Sequence, residues 1–101
     1  MYTVRKRIEI SASHSLKLSY ESKCENLHGI IVVWCRAKQL NDDGMVVDFT
    51  HIKQKIQEQL DHRNLNEVLS FNTTAENMAR WICEQVPACF KVMVQESETN
   101  I

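Results

Sequence analysis

The apolar positions Val4, Ile8, Ile10 and Ala12 share one parity, while Arg5, Arg7 and Glu9 share the other. This is the alternation of a strand buried on one face. His14 continues the apolar parity just past the predicted strand end. Residues 15 to 29 carry Ser, Lys, Glu and Asn without a period, so a long irregular excursion is expected there, of the kind that is usually functional in a small domain. Ile30 to Lys38 then reads as a second strand, and Asn41-Asp42-Asp43-Gly44 as a turn. Phe49, Ile52, Ile56 and Leu60 recur at helical spacing, with Asp48 or Thr50 in position to cap the first turn. That helix delivers Asp61-His62 at its C-terminal end. A second helix is predicted from Thr73, where Thr73 and Glu76 have capping-box spacing and Met78, Ala79, Ile82 and Val86 form the buried stripe before Pro87 ends it. Cys89 to Glu96 alternates as a third strand, with Phe90, Val92, Val94 and Glu96 on one face. The order β-β-α-α-β predicts an α+β domain, an antiparallel sheet with both helices on one face.

Composition narrows the function classes. With 101 residues the chain is read as one domain, 1–101, with a single core, and is too small to bury a deep pocket alone. A formal net charge of -1 without a basic stripe argues against nucleic acid as a partner, but an anionic small molecule is compatible with it. The N-terminus lacks the apolar core of a signal peptide, and no apolar run approaches membrane-spanning length, so a cytoplasmic protein without membrane contact is expected. Cys24, Cys35, Cys83 and Cys89 are accordingly read as thiols and not as a disulfide framework. Cys35, Cys83 and Cys89 fall in element-like runs, where small buried hydrophobes are the ordinary reading.

Four places carry candidate chemistry. Cys24-Glu25-Asn26-Leu27-His28-Gly29 sets a thiol four residues before an imidazole. A nearby cation or metal would lower the thiol pKa toward neutrality, which suits proton transfer. His14 and His28 could converge on one metal, since imidazole nitrogens are good zinc ligands. Asp61-His62 joins an acid to an imidazole that titrates near neutral pH. Glu96, in line with apolar residues, could accept hydrogen bonds from a guanidine-like edge. From the residues alone, each also fits a plain role: hydrogen-bonding or surface histidines, a loop thiol, helix-end residues favoured by the helix dipole, and an exposed strand-end glutamate.

These pieces, with Ser11-Ala12-Ser13-His14, Gly44-Met45-Val46-Val47-Asp48-Phe49, Leu60-Asp61-His62-Arg63-Asn64-Leu65-Asn66 and Asn72-Thr73-Thr74-Ala75-Glu76-Asn77, resemble the 6-pyruvoyl-tetrahydropterin synthase / 6-carboxytetrahydropterin synthase family. The spacing from Cys24 to His28-Gly29 is similar to that of the 6-carboxytetrahydropterin synthases of queuosine precursor synthesis. The resemblance implies the tunnelling fold, with a fourth strand after the third for which the sequence supplies no residues. It implies a zinc-dependent lyase converting 7,8-dihydroneopterin triphosphate to 6-carboxy-5,6,7,8-tetrahydropterin, acetaldehyde and triphosphate. In that reading zinc is the cofactor, held by His14, His28 and a third His, but the family's His-Gly-His is His28-Gly29-Ile30 here, and the third ligand is absent. Cys24, Asp61 and His62 would be catalytic, Glu96 would bind the pterin, and Asp48 would be a helix cap. Trimers or hexamers with active sites between subunits are implied as well. The rival readings are an inactive or engineered tunnelling-fold domain, 6-pyruvoyl-tetrahydropterin synthase activity, and a zinc-binding interaction module built on Cys24, His28 and another thiol.

Overall fold

The computed structural model describes residues 1–17, 19–20 and 22–96, and the side chains of all of these except 17 and 22–25. Strands β1 (Tyr2–Lys17) and β2 (Ser22–Ala37) form one antiparallel hairpin in unbroken register from Tyr2 opposite Ala37 to Lys17 opposite Ser22. Strand β3 (Cys89–Gln95) runs antiparallel along the other side of β2, giving the order β1-β2-β3. Between β2 and β3 come helices α1 (Phe49–Leu60), α2 (Leu65–Val68) and α3 (Ala75–Gln85).

The core follows the parity read in β1. Ile8, Ile10 and His14 of β1 and Leu27, Ile31, Val33 and Cys35 of β2 are buried, as is Val94 of β3. Across from them Ile52, Ile56 and Leu60 of α1, Leu65 of α2, and Met78 and Ile82 of α3 close the same cluster. Asp48 caps α1, its side chain accepting the Thr50 N–H at 3.0 Å. Asn41 organises the preceding turn by accepting the Asp43 and Met45 N–H groups, with Gly44 at φ 79. A left-handed residue is what this turn needs, and glycine supplies it without a Cβ clash.

Three expectations are corrected. Residues 15–29 are not an irregular excursion, because β1 runs to Lys17 and β2 starts at Ser22. Backbone pairing and the Asn66 side chain on Ser15 hold this distal part of the hairpin, and the last buried residues described along it are His14 and Leu27. Helix α3 begins after Thr74, whose Oγ1 accepts the Asn77 N–H at 3.2 Å, so the cap lies one residue beyond Thr73. On β3 the register passes from Trp34 opposite Lys91 to Cys35 opposite Cys89, leaving Phe90 as the extra residue of a β-bulge. Phe90 is therefore exposed, beneath the Arg36 guanidinium at 4.5 Å, and not on the face of Val92 and Val94.

Thr73, freed from capping, is fully buried and faces His14. The His14 Nδ1 lies 3.1 Å from the Thr73 carbonyl oxygen and 3.0 Å from its Oγ1. A carbonyl only accepts, so this contact is a hydrogen bond in the Nδ1–H tautomer. Thr73→Val keeps the shape and the carbonyl partner but removes the hydroxyl, and is expected to lower the unfolding free energy by about 1 kcal/mol in urea denaturation. An unchanged midpoint would mean that the hydroxyl adds nothing to this contact.

Candidate active site

The C-terminal end of α1 is stitched to the outer edge of β1. Asp61 ends the helix in an extended conformation, and His62 follows at φ 57, the left-handed region that histidine tolerates better than most residues. This reversal lays 61–66 along β1. The Ser11 N–H donates to Asp61 Oδ1 at 2.8 Å, the His62 N–H donates to the Ser11 carbonyl at 2.6 Å, and the Ser13 N–H donates to the Arg63 carbonyl at 3.0 Å. Asn66 then clamps Ser15 from both sides, accepting its N–H at 2.6 Å and donating to its carbonyl at 2.9 Å. An open strand edge is thereby satisfied, and two titratable side chains are fixed beside it.

The backbone reversal brings together what adjacent helical residues could not. His62 Nε2 lies 3.6 Å from Asp61 Oδ2, with the imidazole side chain 84% exposed and the carboxylate 28% exposed. Within one chain, then, Asp61 and His62 form an acid–imidazole pair, without need of a subunit contact. His62 of the pair lines an open cleft of about 440 Å³ with Ser11, Ser13, Asn26, Arg63 and Asn64. His28 reaches the same strip of sheet, its Nδ1 3.4 Å from Ser11 Oγ. Backbone strain at His62 of about 1 kcal/mol is of the kind found where a side chain is held for use.

Cys24 is paired with Ser15 in the hairpin, but its side chain lies outside the described residues. Glu96 follows the last paired residue of β3, Gln95 opposite Ile30, and is half-buried with one carboxylate oxygen shielded from solvent. Two strand spacings, about 10 Å, separate β3 from β1. His14 and His28 are not brought together. With Ser11 opposite His28 and His14 opposite Glu25, the two histidines differ in parity, so one faces the helices and the other faces away. His14 is 2% exposed, whereas His28 is on the open side. Nδ1 of His14 against a backbone carbonyl is the placement common in metal-ligating histidines. A single such imidazole is not a zinc site, however, and Ile30 follows where another ligand was expected. Among the described residues no group of three or more His, Cys, Asp or Glu is placed to hold a metal ion. The described side chains alone thus do not assemble a zinc site.

Sequence reasoning gave no role to Arg63, Asn64 and Asn66, which build the cleft wall and the clamp. The available signal was two asparagines flanking Leu65. Asn64 caps α2 by accepting the Asn66 N–H at 3.1 Å, and a four-residue helix is too short to show a hydrophobic period.

Fold and site together define an α+β domain with an acid–imidazole pair held at a strand edge over an open cleft. Residues 3–101 match the family model of 6-pyruvoyl tetrahydropterin synthase, and the chain belongs to that family. A Pyrococcus horikoshii protein provisionally named 6-carboxy-5,6,7,8-tetrahydropterin synthase is 41% identical over 69 residues, covering 61% of this chain but only 43% of that protein. A Pyrococcus furiosus protein named dihydroneopterin monophosphate aldolase is 35% identical over 88 residues, 79% of this chain and 70% of its own length. The Bacillus subtilis 6-carboxy-5,6,7,8-tetrahydropterin synthase is 25% identical over 119 residues, 98% of this chain and 82% of that one. The structure of Caenorhabditis elegans 6-pyruvoyl tetrahydropterin synthase superposes with a TM-score of 0.75 over 98% of this chain and 91% of that one at 23% identity, so the fold is shared. No helix among the described residues is long and apolar enough to cross a membrane.

Proposed function

We propose that the chain is a carbon–carbon lyase of the 6-carboxytetrahydropterin synthase type, acting on 7,8-dihydroneopterin triphosphate with release of acetaldehyde and triphosphate. The observation that carries this reading is the Asp61–His62 pair at 3.6 Å, held at the cleft by Ser11 in a family of pterin enzymes. His62, exposed at the mouth, moves a proton to and from the substrate side chain. Asp61 orients the imidazole. Cys24 serves as the second proton carrier, and Glu96 accepts hydrogen bonds from the amino-pyrimidine edge of the pterin.

Asp61→Asn keeps an acceptor for the Ser11 N–H but loses the charge facing His62. It is expected to lower turnover about a hundredfold with little change in stability. Equal loss of stability and activity would assign Asp61 a purely structural part.

Glu96 and the acid–imidazole pair lie at different sides of the sheet, so we infer a homo-oligomer in which a second copy completes the site. The half-buried Ile30, Val32, Trp34 and Met93 on the face away from the helices supply apolar surface for it.

A noncatalytic tunnelling-fold domain is the second reading, favoured by the opposite facing of His14 and His28 and by Ile30 after Gly29. Incubation with 7,8-dihydroneopterin triphosphate, and separately with the monophosphate, distinguishes the readings. Acetaldehyde with a 6-carboxy pterin supports the proposal. Aldol cleavage of the monophosphate alone moves the chain to the activity for which the Pyrococcus furiosus relative is named. Absence of any product leaves the noncatalytic reading.

A further inference from the structure

Three thiols meet where α3 hands over to β3, far from the cleft chemistry. Cys83 lies on α3 two residues before its end, Cys89 opens β3, and Cys35 stands directly opposite Cys89 on β2. Cys83 Sγ is 3.2 Å from Cys89 Sγ, its S–H aimed at the other sulfur. Cys35 is fully buried behind them, whereas Cys83 and Cys89 are half-buried and reachable from solvent. The tight connection that brings the first two together is fixed by Pro87, by Ala88 at φ 63, by the Cys89 N–H on the Val86 carbonyl, and by the Arg36 N–H on the Ala88 carbonyl.

We propose that Cys83 and Cys89 form a reversible disulfide by exchange with a small-molecule disulfide, making the α3–β3 junction a redox-responsive clamp. A bonded pair of sulfurs lies about 2.05 Å apart, so closure needs an approach of about 1 Å, within the reach of side-chain rotation. In the first step the Cys83 thiolate attacks one sulfur of the small disulfide. A sulfur–sulfur bond forms to Cys83, and the other half leaves as a thiolate that takes up the displaced proton. In the second step Cys89 Sγ attacks the Cys83 sulfur of this mixed disulfide, and the second half leaves with the Cys89 proton. Two protein thiols and one small disulfide thus become one protein disulfide and two small thiols. Burial and the neighbouring Cys83 sulfur push the Cys89 thiol up to about 12. It is therefore the resolving and not the entering thiol, and closure accelerates as pH rises. Burial likewise raises Cys35, which stays a spectator despite facing Cys89.

The test uses the folded full chain and oxidised glutathione. Trypsin cuts after Arg80 and Lys91, so Trp81–Lys91 carries both cysteines in one peptide, while Cys24 and Cys35 fall together in another. The expected result is a Trp81–Lys91 peptide lighter by two hydrogen atoms, restored by dithiothreitol, formed faster at higher pH, and absent from Cys83→Ser and Cys89→Ser. A clamp also predicts a higher urea midpoint for the oxidised chain. Retention of glutathione on Cys83 or Cys89, a link to Cys24 or Cys35, or an unaltered peptide in the folded chain would each overturn the proposal. The Cys35→Ser variant, which removes the buried competitor, is expected to close unchanged, and failure to do so would count equally against it.

Discussion

Replacing Cys24 with alanine is expected to lower turnover about a thousandfold, the range lost when a positioned proton carrier is removed, while pterin affinity stays within about twofold. The expectation rests on where the backbone carries the residue. Cys24 lies opposite Ser15, which Asn66 grips through two hydrogen bonds, on the strand that also carries Asn26 and His28. The same 61–66 segment that grips Ser15 holds Asp61 and His62 against Ser11. One rigid strip of backbone thus sets the spacing between the thiol position and the acid–imidazole pair, and such spacing governs proton transfer more steeply than it governs binding. Steady-state kinetics with the purified variant checks this. An unchanged rate removes Cys24 from the mechanism.

Leu60→Ala is expected to destabilise the fold by about 3 kcal/mol, the usual cost of a cavity at a fully buried leucine. Leu60 is the last residue of α1 and has no exposed surface. Its carbonyl accepts the Arg63 N–H at 3.3 Å, closing the reversal that contains Asp61 and His62. A loss of packing here therefore loosens the site as well as the core. Urea denaturation is expected to show a lower midpoint, and activity should fall even where the variant remains folded. A midpoint shift worth less than about 1 kcal/mol would mean that the site is held by the edge hydrogen bonds without help from this side chain.

Much of the fold was legible because burial leaves a period in the sequence. The parity of Val4, Ile8, Ile10 and Ala12 gave β1, and the helical step of Phe49, Ile52, Ile56 and Leu60 gave α1 with its Asp48 cap. The stripe of Met78, Ile82 and Val86 gave α3 to within two residues at its start. The distal hairpin was not legible, since its register is set by backbone pairing, which leaves no period in the sequence. The bulge at Phe90 was hidden for a related reason: the alternation of Cys89–Glu96 continues through it although the register shifts by a residue.

Candidate residues could be named from the sequence, but their geometry could not. Asp61-His62 could be picked out in the sequence, yet the left-handed turn at His62 that lets the two side chains meet has no sequence signal of its own. His14 and His28 illustrate the opposite failure. Both were sound candidates as residues, but a strand register puts successive side chains on alternate faces, and the observed one separates them. Parity across a hairpin depends on both strands at once, and neither strand alone contains it.

The measurement that tests the account most directly is a fluorescence titration of 7,8-dihydroneopterin triphosphate against the native chain and Glu96→Gln. Saturable binding by the native chain, weakened at least about tenfold in the variant by the loss of charge-assisted hydrogen bonds, is the predicted result. Absence of saturable binding to the native chain, or equal affinity of the two, would contradict it.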